Sequence, residues 1–262
     1  MGTARDATDP AERGFRRPGP QLLFTEGVRA SLEFGTLGAL LPLLRRARRG
    51  DGHGVLVFPG FMASDNSTRT LRWYLRDLGY HAHGWRLGVN IGPTDRILDG
   101  MGARIDSLHE FHEGPISLIG WSLGGVYARE MARQHPDQIR QVITLGSPFA
   151  IDDREASNAG PLYNMLSTFH SPRVDSLREP ELERVPVPVP TTAIYTKGDG
   201  IVPWRSCVDE SNARPDAENI RVMGSHCGLG HNPRALAVIA DRLAQPLGAW
   251  RPHRRSVTSS RS

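Results

Sequence analysis

Residues 115–134 read PISLIGWSLGGVYAREMARQ. Ile116–Ile119 is an apolar run of strand length, and Leu123–Gln134 carries helical spacing closed by Pro136. Between them there is room only for a sharp turn, and the turn reads Gly120-Trp121-Ser122-Leu123-Gly124, followed by Gly125. This is G-x-S-x-G. A serine on a tight strand-to-helix turn is held out of the sheet, and small residues at 120 and 124 let the backbone segments approach. The start of the helix sets the Leu123 N–H and a positive dipole end beside the hydroxyl. With 28 Gly in the chain the bare motif is common, so its position between strand and helix carries the reading.

Outward from this turn, short apolar runs alternate with amphipathic stretches, the pattern of an α/β protein with a mostly parallel sheet and helices on both faces. Strands are predicted at Val55–Phe58, Tyr80–Leu87, Pro115–Ile119, Gln141–Leu145, Thr191–Tyr195 and Ile220–Val222. Helices are predicted at Thr68–Leu78, Asp95–His112, Leu123–Gln134 and Asn232–Ala244. Residues 149–190 break the alternation and end in Val185-Pro186-Val187-Pro188-Val189-Pro190, which cannot be a central strand. We read 149–190 as a small cap or lid insertion.

A serine hydroxyl is a weak nucleophile that needs a base, and the base needs an orienting acid. Asp199 lies just past the strand Thr191–Tyr195, and His226 just past Ile220–Val222. All three residues then leave the carboxyl ends of strands, where open α/β sheets build their sites. His231 is a rival base, and Asp209 and Glu210 are rival acids in a polar loop with no strand immediately before it. His81, His83, His109 and His112 have metal-compatible spacings but no carboxylate or Cys pattern beside them, so they read as strand-face and helix-surface residues and no metal is expected. The turn Phe58-Pro59-Gly60-Phe61-Met62 follows the first strong strand and could aim the Phe61 N–H at the serine. With the Leu123 N–H this makes two oxyanion donors, worth roughly 3–4 kcal/mol each in the transition state. Phe61, Met62, Trp121 and Leu123 are expected to line an apolar entrance.

On these residues the chain resembles the α/β-hydrolase superfamily, and within it bacterial lipases and esterases, over roughly residues 53–245. The resemblance rests on the oxyanion turn, the serine turn, Asp199 in Asp-Gly-Ile-Val-Pro-Trp, and His226 in Gly-Ser-His. It implies an eight-stranded, mostly parallel sheet with a cap after the sixth strand, and no cofactor. It also implies Ser122 as nucleophile, Asp199 as orienting acid and His226 as general base, with a small-molecule acyl ester as substrate. Many lipases carry His-Gly at the oxyanion turn, where this chain has Pro59-Gly60. Thioesterase or acyltransferase chemistry would use the same triad. A non-catalytic binding module on this fold is the alternative from another class.

Composition narrows the remaining options. The 262 residues are 39% hydrophobic and 23% charged, an ordinary globular balance. The net charge is +4, yet residues 1–50 alone carry nine Arg against five acids, and 251–262 carry four Arg and no acid. With each end at +4, the 200 residues between them carry −4, which argues against nucleic acid as a partner. Lys197 is the only lysine, so neither a phosphate-cradling G-x-x-x-x-G-K-[ST] run nor ready Schiff-base chemistry is on offer. Two cysteines, Cys207 and Cys227, cannot make a disulfide framework.

Residues 1–20 read as a disordered tail and 21–50 as a helical lead-in, with Leu22, Leu23, Val28, Leu32, Leu37, Leu40, Leu41 and Leu44 at helical intervals. The hydrolase domain spans 51–250, and 251–262 is a basic tail. The lead-in is expected to pack on the domain, the other reading being membrane-surface contact through this helix and the basic tails. With no apolar export segment and no run long enough for a bilayer, the expected location is cytoplasmic.

Overall fold

A computed structural model describes residues 16–150, 157–160, 164, 170–172, 185–210 and 214–253. Helix α1 (Pro20–Leu44) comes first, followed by β1 (Gly54–Phe58), α2 (Arg69–Asp77), β2 (His81–Gly84), α3 (Asp95–His112), β3 (Ile116–Trp121), α4 (Leu123–Gln134) and β4 (Ile139–Leu145). After the insertion come β5 (Thr191–Tyr195), β6 (Ala217–Arg221) and α5 (Pro233–Leu243). The predicted strands and helices all form, with boundaries moved by a few residues. The largest change is at β2, where Tyr80–Leu87 yields only four strand residues. The Asp65 carboxylate takes the N–H groups of Trp85 (3.0 Å) and Arg86 (3.1 Å), and Arg86 turns to a φ of 62°, which ends the ladder.

The strands form one parallel sheet in the order β2-β1-β3-β4-β5-β6. The resemblance implies eight strands; among the described residues there are six, and residues 16–50 contribute a helix. The alternation of each strand splits the core in two. Val55, Val57, Ile119, Ile143, Leu145 and Ile194 face α1, α2 and α5. Leu56, Phe58, Leu118 and Val142 face α3 and α4. The chain goes from β1 to β2 on one side and returns to place β3 on the other, so the crevice above β1 and β3 is a topological switch point.

The lead-in helix packs on the domain, but with a different face from the one its apolar residues suggest. Leu37 and Leu44 are buried, while Val28 and Leu32 are 64% and 67% exposed and Phe24 is 83% exposed. The face turned inward carries Glu26, Arg29 and Glu33, because the loops it covers present unpaired backbone N–H and C=O groups. Among the described residues no helix is long and apolar enough to cross a membrane.

Of the 149–190 insertion, which leaves β4 and re-enters at β5, only residues 149–150, 157–160, 164, 170–172 and 185–190 are described. The Asn158 side chain donates to Gly200 O at 2.7 Å, and the Ser171 N–H donates to Pro93 O at 2.8 Å. These two residues of the insertion thus touch the loop after β5 and the loop between β2 and α3. Val185–Pro190 is irregular, with Val187 and Val189 buried against the α3–α4 side. The predicted terminal tails lie mostly outside the described residues.

Candidate active site

Ser122 stands between β3 and α4 with φ 53° and ψ −124°, a conformation L-residues avoid and one that costs on the order of 1–3 kcal/mol. Glycines make it possible. A Cβ at Gly120 would collide with the backbone of Gly124 and Gly125, and one at Gly124 would lie 2.5 Å from Phe58 O and 2.7 Å from Pro59 O. The Ser122 N–H donates to Leu145 O at 2.8 Å, so β4 ties down the turn, and the hydroxyl is not spent capping α4. The side chain is half-buried.

Asp199 and His226 meet as the sequence predicts. Asp199 Oδ2 lies 2.6 Å from His226 Nδ1, and both side chains are buried. The other carboxylate oxygen, Oδ1, accepts the N–H groups of Ile201 and Val202 at 2.8 Å each, which leaves Oδ2 for the imidazole. Burial lowers the proton affinity of His226, but the charge and hydrogen bond of Asp199, with a contribution from Glu26, outweigh it. Its pKa therefore lies above the ordinary histidine value.

The β3 turn and the histidine loop are joined directly. The Trp121 indole donates to His226 O at 3.1 Å, and its ring packs where a side chain on Gly230 would go. Gly146, next after Leu145, has a φ of 53°, and a Cβ there would lie 3.1 Å from His226 Nδ1 and 3.3 Å from Asp199 Oδ2. Trp121 therefore does not line an entrance: it shares Ile119's side of β3 and is buried under the histidine loop. Leu123 is half-buried, and Met62 is exposed.

The rival residues are occupied elsewhere. His231 Nε2 lies 2.9 Å from Ala30 O and meets the Phe34 ring edge-on. Asp209 pairs with buried Arg129 at 2.8 Å, and Glu210 is exposed. His83 and His112 bring their Nε2 atoms to 2.9 Å, with His81 beside His112, while His109 Nδ1 contacts Gly114 O. Among the described residues no group of His, Cys, Asp or Glu is arranged to hold a metal ion. Cys207 and Cys227 are free thiols, the first buried and the second exposed.

The turn after β1 approaches the serine, since a Cβ on Gly60 would sit 3.2 Å from Ser122 Cβ. Met62 has a φ of 57°, and its N–H is spent on Asn90 O at 2.8 Å. Asn90, fully buried, is a residue that the sequence reading passed over. Its Nδ2 donates to Pro59 O at 3.0 Å, its backbone N–H donates to Ala63 O at 2.8 Å, and its Oδ1 accepts the Gly92 N–H at 3.2 Å. The Asn90-Ile91-Gly92-Pro93 turn is the signal that could have marked it.

Glu26 and Glu33 were missed as well. Glu33 accepts the Ser225 N–H (2.7 Å) and hydroxyl (2.6 Å) and the Asn232 amide (2.6 Å). Arg29 Nη1 donates to Gly198 O at 2.6 Å. Glu26, Arg29 and Glu33 are the only charged residues of α1, and their i, i+3, i+7 spacing puts them on one face.

Solved structures with this architecture include a lipase B from Aspergillus fumigatus, with a TM-score of 0.59 at 16% identity over 76% of this chain and 54% of that one. The chain thus spans about half the length of that lipase. The metagenome-derived lipolytic enzymes LipS and LipT give 0.56 at 19% identity, over 75% of this chain and 93% of that one. The monoacylglycerol lipase of Paleococcus ferrophilus gives 0.53 at 16% identity, over 76% and 96%. At these identities the likeness establishes the fold, which is that of the α/β hydrolases. No family model matches the chain, and no curated protein matches it.

Proposed function

We propose that this chain is a serine hydrolase that cleaves carboxylic esters through an acyl-enzyme on Ser122. The observation that carries the reading is the buried Asp199–His226 pair, 2.6 Å apart, joined through Trp121 and Gly146 to a serine held at positive φ. The likeness in fold to lipases supports it.

In the proposed reaction Ser122 Oγ attacks the ester carbonyl while His226 Nε2 takes the hydroxyl proton. Asp199, bonded to Nδ1, fixes the tautomer and stabilises the imidazolium. The oxyanion is held by the N–H groups of Leu123, first residue of α4, and Phe61 on the Gly60 turn. His226 returns the proton to the leaving alcohol, then activates a water that releases the acid. Met62 and Val89, both exposed beside that turn, supply apolar surface for an acyl group.

The test combines a fluorophosphonate label, mapped by mass spectrometry, with hydrolysis of p-nitrophenyl esters and a thioester by wild type and Ser122→Ala. The expected result is an adduct at Ser122 and a loss on the order of 10⁴-fold or more in the variant. No adduct and equal rates would sink the reading and favour a binding module. Faster turnover of the thioester would move the substrate class.

A further inference from the structure

A carboxylate costs several kcal/mol to bury unless hydrogen bonds occupy its lone pairs. Glu26 is 4% exposed, and its donors are unusually placed. Oε1 accepts the Gly200 N–H at 2.7 Å and the His226 N–H at 3.2 Å, and Oε2 accepts the Cys227 N–H at 2.9 Å. Arg29 Nη2 completes the set at 2.9 Å from Oε1. Gly200 directly follows Asp199, and His226 is the base itself, so one side chain bonds the acid's loop and the base's loop at once. The separations in sequence are 174 and 200 residues.

Among the described residues the other charged and titratable groups near His226 are few, and His231, on the same loop, has its Nε2 2.9 Å from Ala30 O. Asp199 faces Nδ1, Cys227 follows His226 on its own loop, and Cys207 is buried on the Asp199 side. Arg29 and Glu33 lie on α1, the latter bonded to Ser225. Lys197 is turned onto the Trp204 ring, 4.6 Å from its centroid. Among the described residues Glu26 is thus the second carboxylate bonded to the base residue, after Asp199.

We infer that Glu26 is a positioning residue of this site: its carboxylate holds the Asp199 and His226 loops in register and sets a second negative charge behind the imidazole, with Arg29 moderating that charge. This rests on the reading of Ser122, His226 and Asp199 as a hydrolytic triad. The charge matters when His226 has taken the serine proton, because the imidazolium is then flanked by two carboxylates. The N-terminal helix becomes part of the site's electrostatics as well as of its packing.

The experiment measures the pH dependence of ester kcat/KM for wild type, Glu26→Gln, Glu26→Asp and Arg29→Gln, with circular dichroism and thermal melts on each. Glu26→Gln should move the acid limb down by about half a pH unit, and Arg29→Gln should move it up by a similar amount. Glu26→Gln should also lower kcat about tenfold with KM within about twofold, since the fault lies in alignment. Glu26→Asp keeps the charge but is too short to reach both loops, so its limb stays near wild type while kcat falls. A purely structural brace would lower melting temperatures without opposite pH shifts. Limbs that stay in place, or move the same way in both variants, overturn the inference. If Glu26→Gln does not fold, Arg29→Gln decides alone, and an unmoved limb there overturns it. If wild type neither labels nor turns over, the hydrolase reading has failed instead. The coupling is then read from the titration of the His226 Nδ1 proton resonance, which an Arg29→Gln or Glu26→Gln protein must shift.

Discussion

The serine turn and the two loops that oppose it are held by different physics. Gly120, Ser122 and Gly124 are fixed by exclusion, because backbone occupies the space where side chains would stand and one sharp conformation survives. The Asp199 and His226 loops are fixed by attraction. Their backbone groups are bonded to Glu26, Arg29 and Glu33 on a helix far away in sequence. Exclusion is local and unforgiving. Attraction is distributed, so single losses should be graded.

The widest break in that comparison comes from a side chain at Gly124. Its Cβ would meet Phe58 O at 2.5 Å and Pro59 O at 2.7 Å, both backbone atoms of β1 and its turn, which cannot swing aside. Gly124→Val should cost more than about 3 kcal/mol and yield little folded protein. Gly38, an α1 residue where an added Cβ would meet nothing within 4 Å, is the matched control. Gly38→Ala should fold and gain up to about 1 kcal/mol from helix propensity. Urea unfolding of the two proteins checks both; a Gly124→Val protein of wild-type stability would break the exclusion argument.

The same division explains what was legible in the sequence. The serine turn, the parallel sheet and the Asp199–His226 pair follow from local rules: periodicity, glycine spacing, and residues just past strand ends. The role of α1 does not. Leu22 to Leu44 advertise an apolar face, yet Val28 and Leu32 point outward, because the inward side is chosen by the N–H groups of loops around residues 200 and 226. No window of neighbouring residues contains that information. Trp121 misled for a related reason, since its place beside the serine suggested an entrance while strand alternation sent it under the histidine loop. The strand count comes from a resemblance, and among the described residues before β1 there is a helix and no strand.

Asn90 offers a sharper, intermediate test, because it holds the turn facing the serine by attraction. Alanine there would leave Pro59 O and the Gly92 N–H without their bonds in a buried setting, at about 1–3 kcal/mol of stability. The turn bearing Gly60 and Phe61 would lose its anchor beside Ser122. In the proposed ester hydrolysis, Asn90→Ala should lower kcat by about 10–100-fold with little change in KM, a loss of transition-state stabilisation. A raised KM at unchanged kcat would instead make the turn a substrate contact.

The smallest expected effect lies at the opposite edge of the sheet, and it separates site titration from fold titration. His83 sits against His112 with Nε2 atoms 2.9 Å apart, so at least one ring must be neutral to accept. Burial, followed by the charges of His112, Arg104, Arg76 and His81, lowers the His83 pKa from 6.5 to about 4. A histidine depressed in the folded state binds its proton better when unfolded. Stability is therefore full above pH 6.5 and is lost as pH falls from 6.5 toward 4. His226 has the opposite sign: its raised pKa contributes stability below 6.5 that is lost as pH rises through its folded value. Because His83 is only half-buried, solvent screening reduces its share to on the order of 1 kcal/mol. In urea unfolding between pH 4.5 and 8, His83→Gln should flatten the acid-side loss by that amount. The acid limb of ester hydrolysis should stay where wild type has it, since His83 lies across the sheet from His226. A limb that moved with His83 would mean that the two edges of the sheet are coupled, and that the graded behaviour of the Asp199 and His226 loops extends to the whole fold.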